Sequence, residues 1–95
     1  MLVLVVNAGS SSLKSQLIET DGKMTLMKCI AEKVGTEGAS MNVSFAPEFQ
    51  KVRYNVAGKT VPECLKKLLE VMADDIESPI SNLNQIDAIG NRIVA

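Results

Sequence analysis

The chain has 95 residues, 46% apolar and 3% aromatic, and its ten basic residues nearly balance eleven acidic ones. This balance gives no electrostatic field that favours nucleic acid or an anionic membrane, and three aromatic residues make no stacking platform for single strands. Histidine is absent, which removes His-based triads and His-ligated metals from this stretch. Any chemistry here depends on cations, backbone amides and positioning.

The two cysteines and the first apolar segment bear on the compartment. Leu2–Val6 has no basic flank and is too short to be a membrane span or a signal sequence. A cytoplasmic protein without a membrane partner is therefore the default expectation. Cys29 and Cys64 are too few and too far apart for a disulfide framework or a zinc cage. We predict that both are packing residues.

The first third of the chain has the pattern of three strands. Leu2–Val6 is apolar without alternation and rich in valine, which predicts a central strand covered on both faces. A tight turn over Gly9–Ser12 leads into a looser strand pattern at Leu13–Glu19. Asp21-Gly22 is a strong hairpin signal, and a third strand is predicted over Met24–Glu32.

A small hairpin and a helix are predicted next. Apolar residues alternate over residues 43–45 and again over residues 52–56, around a turn at Pro47, which indicates a hairpin at the edge of the sheet. Thr60 and Glu63 have capping-box spacing, and apolar residues then recur at intervals of three and four. A helix is therefore predicted from Val61 to about Ile76.

A last buried strand is predicted over Ile86–Val94, after a polar connector. A helical crossover back to the sheet favours a right-handed connection and a strand parallel to the first. The order is β-β-β, small hairpin, α, β, an α/β fold with a mixed sheet in one domain. Because Ala95 directly follows the apolar pair Ile93 and Val94, we expect residues 1–95 to be a truncated or processed piece of a longer protein.

The most informative stretch is N-A-G-S-S-S-L-K, residues 7–14. Glycine lets a backbone approach an anion closely, and successive amides in a tight turn form an anion-binding concavity. The three serine hydroxyls and Lys14 add donors and charge, which favours a phosphate-binding turn. The Walker sequence and the dinucleotide G-x-G-x-x-G are both missing. The alternative is a turn that only joins strands, with its hydroxyls on local backbone groups and Lys14 in solvent.

The residues "VLVVNAGSSSLKSQLIE" and "IDAIGNRIV" resemble the N-terminal part of the acetate kinase family. The resemblance spans the chain and is strongest in the opening stretch, which butyrate kinases and related carboxylate kinases largely share. It implies the fold of the actin, sugar kinase and Hsp70 superfamily, in which two RNase H-like domains close over a nucleotide. It further implies phosphoryl transfer between ATP and acetate, giving acetyl phosphate and ADP, with Mg²⁺ and in a homodimer.

The resemblance also implies roles for particular residues. Asn7 would lie beside Mg²⁺, and Lys14 would contact the ATP phosphates. Arg92 would bind the acetate carboxylate or the transferring phosphoryl group, with paired donors that suit planar anions. Val94 would form a wall of the pocket for the methyl group. The residues that would shape and line the turn are Gly9, Ser10 and Ser12. The family's remaining catalytic groups lie beyond residue 95, so we expect the isolated chain to be inactive.

Three positions depart from the family pattern. Ser15 replaces an aromatic residue, Asn91 stands in place of a histidine before Arg92, and Ala95 stands in place of a second histidine. The last two flank Arg92 and leave open a change in ligand geometry or a weakened activity. The alternatives to an acetate kinase are therefore a non-catalytic phosphate- or nucleotide-binding module and another carboxylate kinase, such as a butyrate kinase.

Overall fold

The computed structural model describes residues 1–75, 78–80 and 82–93, with residues 91–93 described by their backbone. The predicted order of elements is confirmed, with one short 3-10 turn added before the last strand. The elements are β1 Leu2–Ala8, β2 Leu13–Glu19, β3 Met24–Glu32, β4 Ser40–Phe45, β5 Val52–Asn55, α1 Val61–Asp74, the 3-10 turn Leu83–Gln85 and β6 Ala88–Ile93.

The strands form one mixed sheet in the order β5-β4-β3-β2-β1-β6. The pairs from β1 to β5 are antiparallel, as short turns between consecutive strands require. The β6 strand pairs with β1 in parallel, so the predicted return to the first strand is confirmed. This pairing places β1 inside the sheet and brings the last described residues beside the first.

The core lies between α1 and one face of the sheet. Alternate residues of β1 to β4 are buried there, and α1 contributes Cys64, Leu68, Val71 and Met72. Cys29 is 2% exposed and Cys64 is fully buried, which confirms that both cysteines are packing residues. The side chains that are both largest and most completely buried include Leu4, Leu13, Leu17, Met27, Met41 and Val43.

The prediction that β1 is covered on both faces is wrong for the described residues. Leu4 and Val6 are buried against the core, whereas Val3 and Val5, which point to the opposite face, are only half-buried. Among residues 1–75, 78–80 and 82–93, the buried side chains of α1 pack against the face of the sheet that contains Leu4. We call the opposite side the open face of the sheet.

The helix begins as predicted and ends earlier. Thr60 accepts a hydrogen bond from the Glu63 amide, and the Glu63 carboxylate accepts one from the Thr60 amide, so the capping box is confirmed. The helix ends at Asp74 because Asp75 has extended backbone angles, φ −72° and ψ 130°. The predicted end, Ile76, lies outside the described residues.

The last strand is shorter at its start than predicted, and the prediction that it is buried is wrong for Ala88, Ile89 and Gly90, which are exposed. Ile86 closes the 3-10 turn by donating its amide to the Leu83 carbonyl, so β6 begins at Ala88. Val94, the predicted end of this strand, lies outside the described residues. Within the parts of the chain that the structure describes, α1 and the 3-10 turn are each too short or too polar to cross a membrane.

Candidate functional site

The serine turn, residues 9–12, lies between β1 and β2 and is held by backbone hydrogen bonds. The Gly9 amide donates to the Ser12 carbonyl at 2.9 Å, which closes the turn. The Ser11 carbonyl accepts from the Val34 amide, also at 2.9 Å. The turn is therefore fixed both within itself and to the loop that joins β3 to β4.

The donors of the serine turn have no acceptor among the described residues. Neither the hydroxyls nor the backbone amides of Ser10, Ser11 and Ser12 donate to any group in residues 1–75, 78–80 or 82–93. Ser10 and Ser11 are exposed and Ser12 is half-buried. Local capping of backbone groups, the alternative from the sequence, is not observed. The turn instead offers a concentration of free donors, which suits an anion.

Three candidate residues are neighbours across the sheet. Asn7 of β1 is the register partner of Lys14 in the antiparallel β2 and of Arg92 in the parallel β6. Adjacent strands are about 4.8 Å apart, so the three backbone positions lie in one row roughly 10 Å wide. The row is two residues from the start of the serine turn, at the carboxyl end of β1. Ligands commonly bind at this end of the strands in α/β sheets.

A groove on the open face begins at this row. It has a volume of about 280 Å³ and is lined by residues of β1, β2 and β3, among them Asn7, Lys14, Gln16 and Lys28. Asn7 is half-buried and its amide group has no hydrogen-bond partner in the described parts of the chain. Lys14 is exposed and has no ion pair there. Both side chains are therefore available to a ligand.

Ser15 lies on the core side of β2. It is 2% exposed, and its hydroxyl donates to the Val5 carbonyl at 2.9 Å. Its register partner in β3 is the buried Cys29. Ser15 therefore packs in the core, with its hydroxyl hydrogen-bonded to β1.

The residue of the site that suits a magnesium ion is Asn7. Among the described residues, no group of three or more His, Cys, Asp or Glu side chains could hold a metal. The Asn7 amide oxygen, half-buried and without a protein partner, is a hard ligand near the serine turn. Mg²⁺ commonly keeps several waters and takes few protein ligands together with substrate phosphates. A single amide oxygen from the protein is compatible with this coordination of Mg²⁺.

The position of Arg92 is described by its backbone, and Val94 lies outside the described residues. Gly9, Ser10, Ser12, Asn7 and Lys14 are brought together at one end of the sheet, with the Arg92 backbone beside them. Sequence reasoning missed Gln16 and Lys28, which also line the groove. Alternation along β2 places Gln16 on the same face as Lys14, and the pairing of β2 with β3 places Lys28 beside Gln16. These two patterns could have identified both residues.

The model of the acetokinase family matches residues 2–95. The chain belongs to the acetokinase family. Among curated acetate kinases, that of Thermotoga petrophila is 40% identical over 94 residues, and that of Thermosipho melanesiensis is 39% identical over 97 residues. Each alignment covers 99% of this chain and 23% of the relative. This acetokinase-family chain therefore spans about a quarter of the length of the curated relatives it matches.

Solved structures agree on the fold of this acetokinase-family chain. The crystal structure of Porphyromonas gingivalis acetate kinase superimposes with a TM-score of 0.86 at 32% identity, over 99% of this chain and 23% of that one. A propionate kinase from Francisella tularensis gives 0.81 at 24% identity, over 99% and 22%, which is evidence for the fold alone. The predicted actin-type ATPase fold, with a mixed sheet, is confirmed.

Proposed function

We propose that this chain is the N-terminal part of a two-domain carboxylate kinase that transfers a phosphoryl group between ATP and acetate. The observation that carries the proposal is the row Arg92, Asn7 and Lys14 beside a serine turn whose donors have no acceptor among the described residues. Membership of the acetokinase family supports it. Residues 1–95 would supply phosphate binding and part of the acid site.

Phosphoryl transfer suits a chain whose part of the site has no histidine. The reaction depends mainly on alignment of the reactants and on charge neutralisation. In the forward direction a carboxylate oxygen of acetate attacks the γ-phosphorus, and the bond from that phosphorus to the β–γ bridging oxygen breaks. The products are acetyl phosphate and ADP. Acetate is already ionised at neutral pH, so its attack needs no general base.

Each residue has a proposed role. The amides and hydroxyls of Ser10 and Ser12, with Gly9 allowing close approach, would bind phosphate oxygens. Lys14 would neutralise charge on the ATP phosphates. Arg92 would hold the carboxylate or the transferring phosphoryl group through its paired donors. Val94 would contact the methyl group.

A magnesium ion is part of the proposal. Asn7 would hold it through the amide oxygen, together with the phosphates and water. When bound, Mg²⁺ supplies charge stabilisation on the phosphate oxygens. The residues of this chain keep separate tasks, since Lys14 and the serine turn would bind and orient the same phosphates. We also propose that the full-length protein is a homodimer in the cytoplasm, where ATP is available.

The test uses the full-length protein with ATP, Mg²⁺ and acetate, and traps acetyl phosphate with hydroxylamine. Formation of the hydroxamate, dependent on all three, is the expected result. Folded protein that yields none, and that also yields none in reverse from acetyl phosphate and ADP, would reject the proposal. The isolated residues 1–95 should be inactive, because the remaining catalytic groups would lie elsewhere in the protein.

A different acid is the second candidate. The structural likeness extends to a propionate kinase, and the opening stretch is shared with butyrate kinases, so the fold alone does not favour the methyl group of acetate. Comparing kcat/KM for acetate, propionate and butyrate separates the two. A kinase for a longer acid would prefer it over acetate by about tenfold or more, since each methylene in an apolar pocket contributes roughly 1–3 kcal/mol.

A further inference from the structure

A second groove lies on the open face, farther from the serine turn than the first. It has a volume of about 320 Å³ and is lined by Lys28, Ile30, Glu32, Asn42, Ser44 and Lys51. Lys28 is the register partner of Ser44, and Ile30 is that of Asn42, so these side chains alternate in two adjacent rows of β3 and β4. Lys28 and Ile30 also line the first groove, which makes the two continuous.

Ser44 is an unusual residue for this position. It is 5% exposed, yet its hydroxyl has no hydrogen-bond partner in residues 1–75, 78–80 or 82–93. No fully buried side-chain polar atom among the described residues lacks a hydrogen-bond partner, so the Ser44 hydroxyl keeps some exposure although the rest of the residue is buried. The hydroxyl lines the groove, so a ligand in the groove could supply the missing partner.

The charge of the groove is concentrated at one end. The Lys28 ammonium lies 4.9 Å from the centroid of the Phe49 ring, which holds that cation in place. Neither Lys28 nor Lys51 has an ion pair with another described residue. Glu32 is four residues from Lys28 along β3, on the order of 13 Å at the rise of a strand. The lysine end is therefore positive and separate from the carboxylate.

We propose that Lys28, Lys51 and Ser44 form a second anion-binding site, which takes a small oxyanion such as inorganic phosphate. The two ammonium groups supply charge, and the Ser44 hydroxyl donates a hydrogen bond to an anion oxygen. Asn42 adds an amide donor at the side of the groove. This site is distinct from the row at Asn7 and does not depend on the proposed kinase activity.

Binding of radiolabelled inorganic phosphate to the full-length protein, by equilibrium dialysis without nucleotide, tests the site. The double variant Ser44→Ala and Lys51→Gln should lose one phosphate site, or bind there at least tenfold more weakly. Both residues are outside the first groove. The variant Lys66→Gln removes one positive charge, as the test variant does. Its lysine is exposed and belongs to neither groove, so this variant is the control for net charge and should bind as wild type.

A third variant distinguishes the second anion site from the proposed site at Asn7 and Lys14. Lys14→Gln should weaken a different phosphate site, and its failure to do so would count against the kinase proposal alone. Unchanged binding in the Ser44 and Lys51 variant, or an equal loss in the charge control, would overturn the second site. Carbodiimide cross-linking provides another check. A zero-length link from Lys28 or Lys51 to a carboxylate elsewhere in the same protein would mean that the chain itself fills the groove, which also overturns it.

Discussion

Asn7 lies opposite Lys14 across the β1–β2 hairpin, and their side chains line one groove on the open face. Their pairing follows from the length of the serine turn, since a hairpin fixes its own register. In the proposed kinase the Asn7 amide oxygen would hold Mg²⁺, and the neighbouring Lys14 ammonium group would bind the phosphate chain. The pairing leads directly to a test of Lys14.

Replacing Lys14 by Gln should lower kcat/KM of the full-length protein by roughly 10²- to 10³-fold, the usual effect of removing one donor to developing charge. The carboxyl group of acetate is not its target, so the KM for acetate should change less than kcat. Steady-state assays of hydroxamate formation measure both. Lys23→Gln, in the exposed β2–β3 turn, is the matched control and should retain wild-type kinetics. Equal losses in the two variants would contradict a specific role for Lys14.

Thr60 caps α1, and Thr60→Ala should lower the free energy of unfolding by about 1 kcal/mol. The alanine cannot accept the hydrogen bond that the Glu63 amide now donates at 3.3 Å. Thr60→Ser keeps a hydroxyl and should retain most of the stability. Guanidinium unfolding followed by circular dichroism measures the difference. Equal stability of the alanine and serine variants would show that the cap contributes nothing.

The other half of the capping box predicts a dependence on acid. Hydrogen bonds from the backbone amide and then the side chain of Thr60 lower the pKa of the Glu63 carboxyl below its ordinary 4.5. A lowered pKa in the folded state stabilises the fold above pH 4.5, and that stability is lost as the pH falls through the folded value. Glu63→Gln should flatten the stability profile in this acidic range. A variant profile as steep as wild type would contradict the assignment.

Cys29 predicts the opposite dependence at alkaline pH. Burial, with a contribution from the neighbouring Cys64, raises the pKa of the Cys29 thiol from 9.0 to about 12. Its share of stability is therefore complete below pH 9.0 and is lost as the pH rises towards about 12. Cys29→Ala should flatten the alkaline limb of the unfolding profile. The native thiol should also resist disulfide reagents at neutral pH and react after unfolding, because the thiolate is the nucleophile.

Ser15 tests whether the core accepts an aromatic residue at this position, as expected from the family pattern. Ser15→Phe should destabilise the fold by about 1–3 kcal/mol, because the buried site next to Cys29 is filled. Ser15→Ala removes the hydrogen bond to the Val5 carbonyl and should cost about 1 kcal/mol. Thermal unfolding of both variants measures these effects. A phenylalanine variant at least as stable as wild type would mean that the core around residue 15 repacks freely.

Much of the fold follows from local pattern. The valine-rich β1, the hairpin after the serine turn and the capped start of α1 were predicted because each depends on residues close in sequence. The register of β6 against β1 was not predictable. This register places Arg92 opposite Asn7, and the two strands are far apart in the sequence. Tertiary packing of the intervening helix and connector therefore sets which residues face each other.

Two other differences have local physical causes. The apolar spacing of α1 continues past Asp74, but periodicity does not mark the backbone change at Asp75. The burial of β1 was overestimated because an unbroken apolar run does not tell which face of the strand is covered. Among the described residues, only the face toward α1 is covered. Lys28 was missed because one lysine in an alternating strand resembles any solvated residue.

The hydrogen bond from the Val34 amide to the Ser11 carbonyl has a consequence for ligand binding. The next residue, Gly35, donates to the Lys59 carbonyl at 3.0 Å, directly before the Thr60 cap of α1. A short chain of backbone contacts thus links the serine turn to the N-terminus of the helix. If the turn binds phosphate as proposed, little conformational entropy of the turn would be lost on binding, because these hydrogen bonds already fix its backbone. In the proposed kinase, we therefore expect any hinge motion that encloses the reactants to involve segments other than the serine turn.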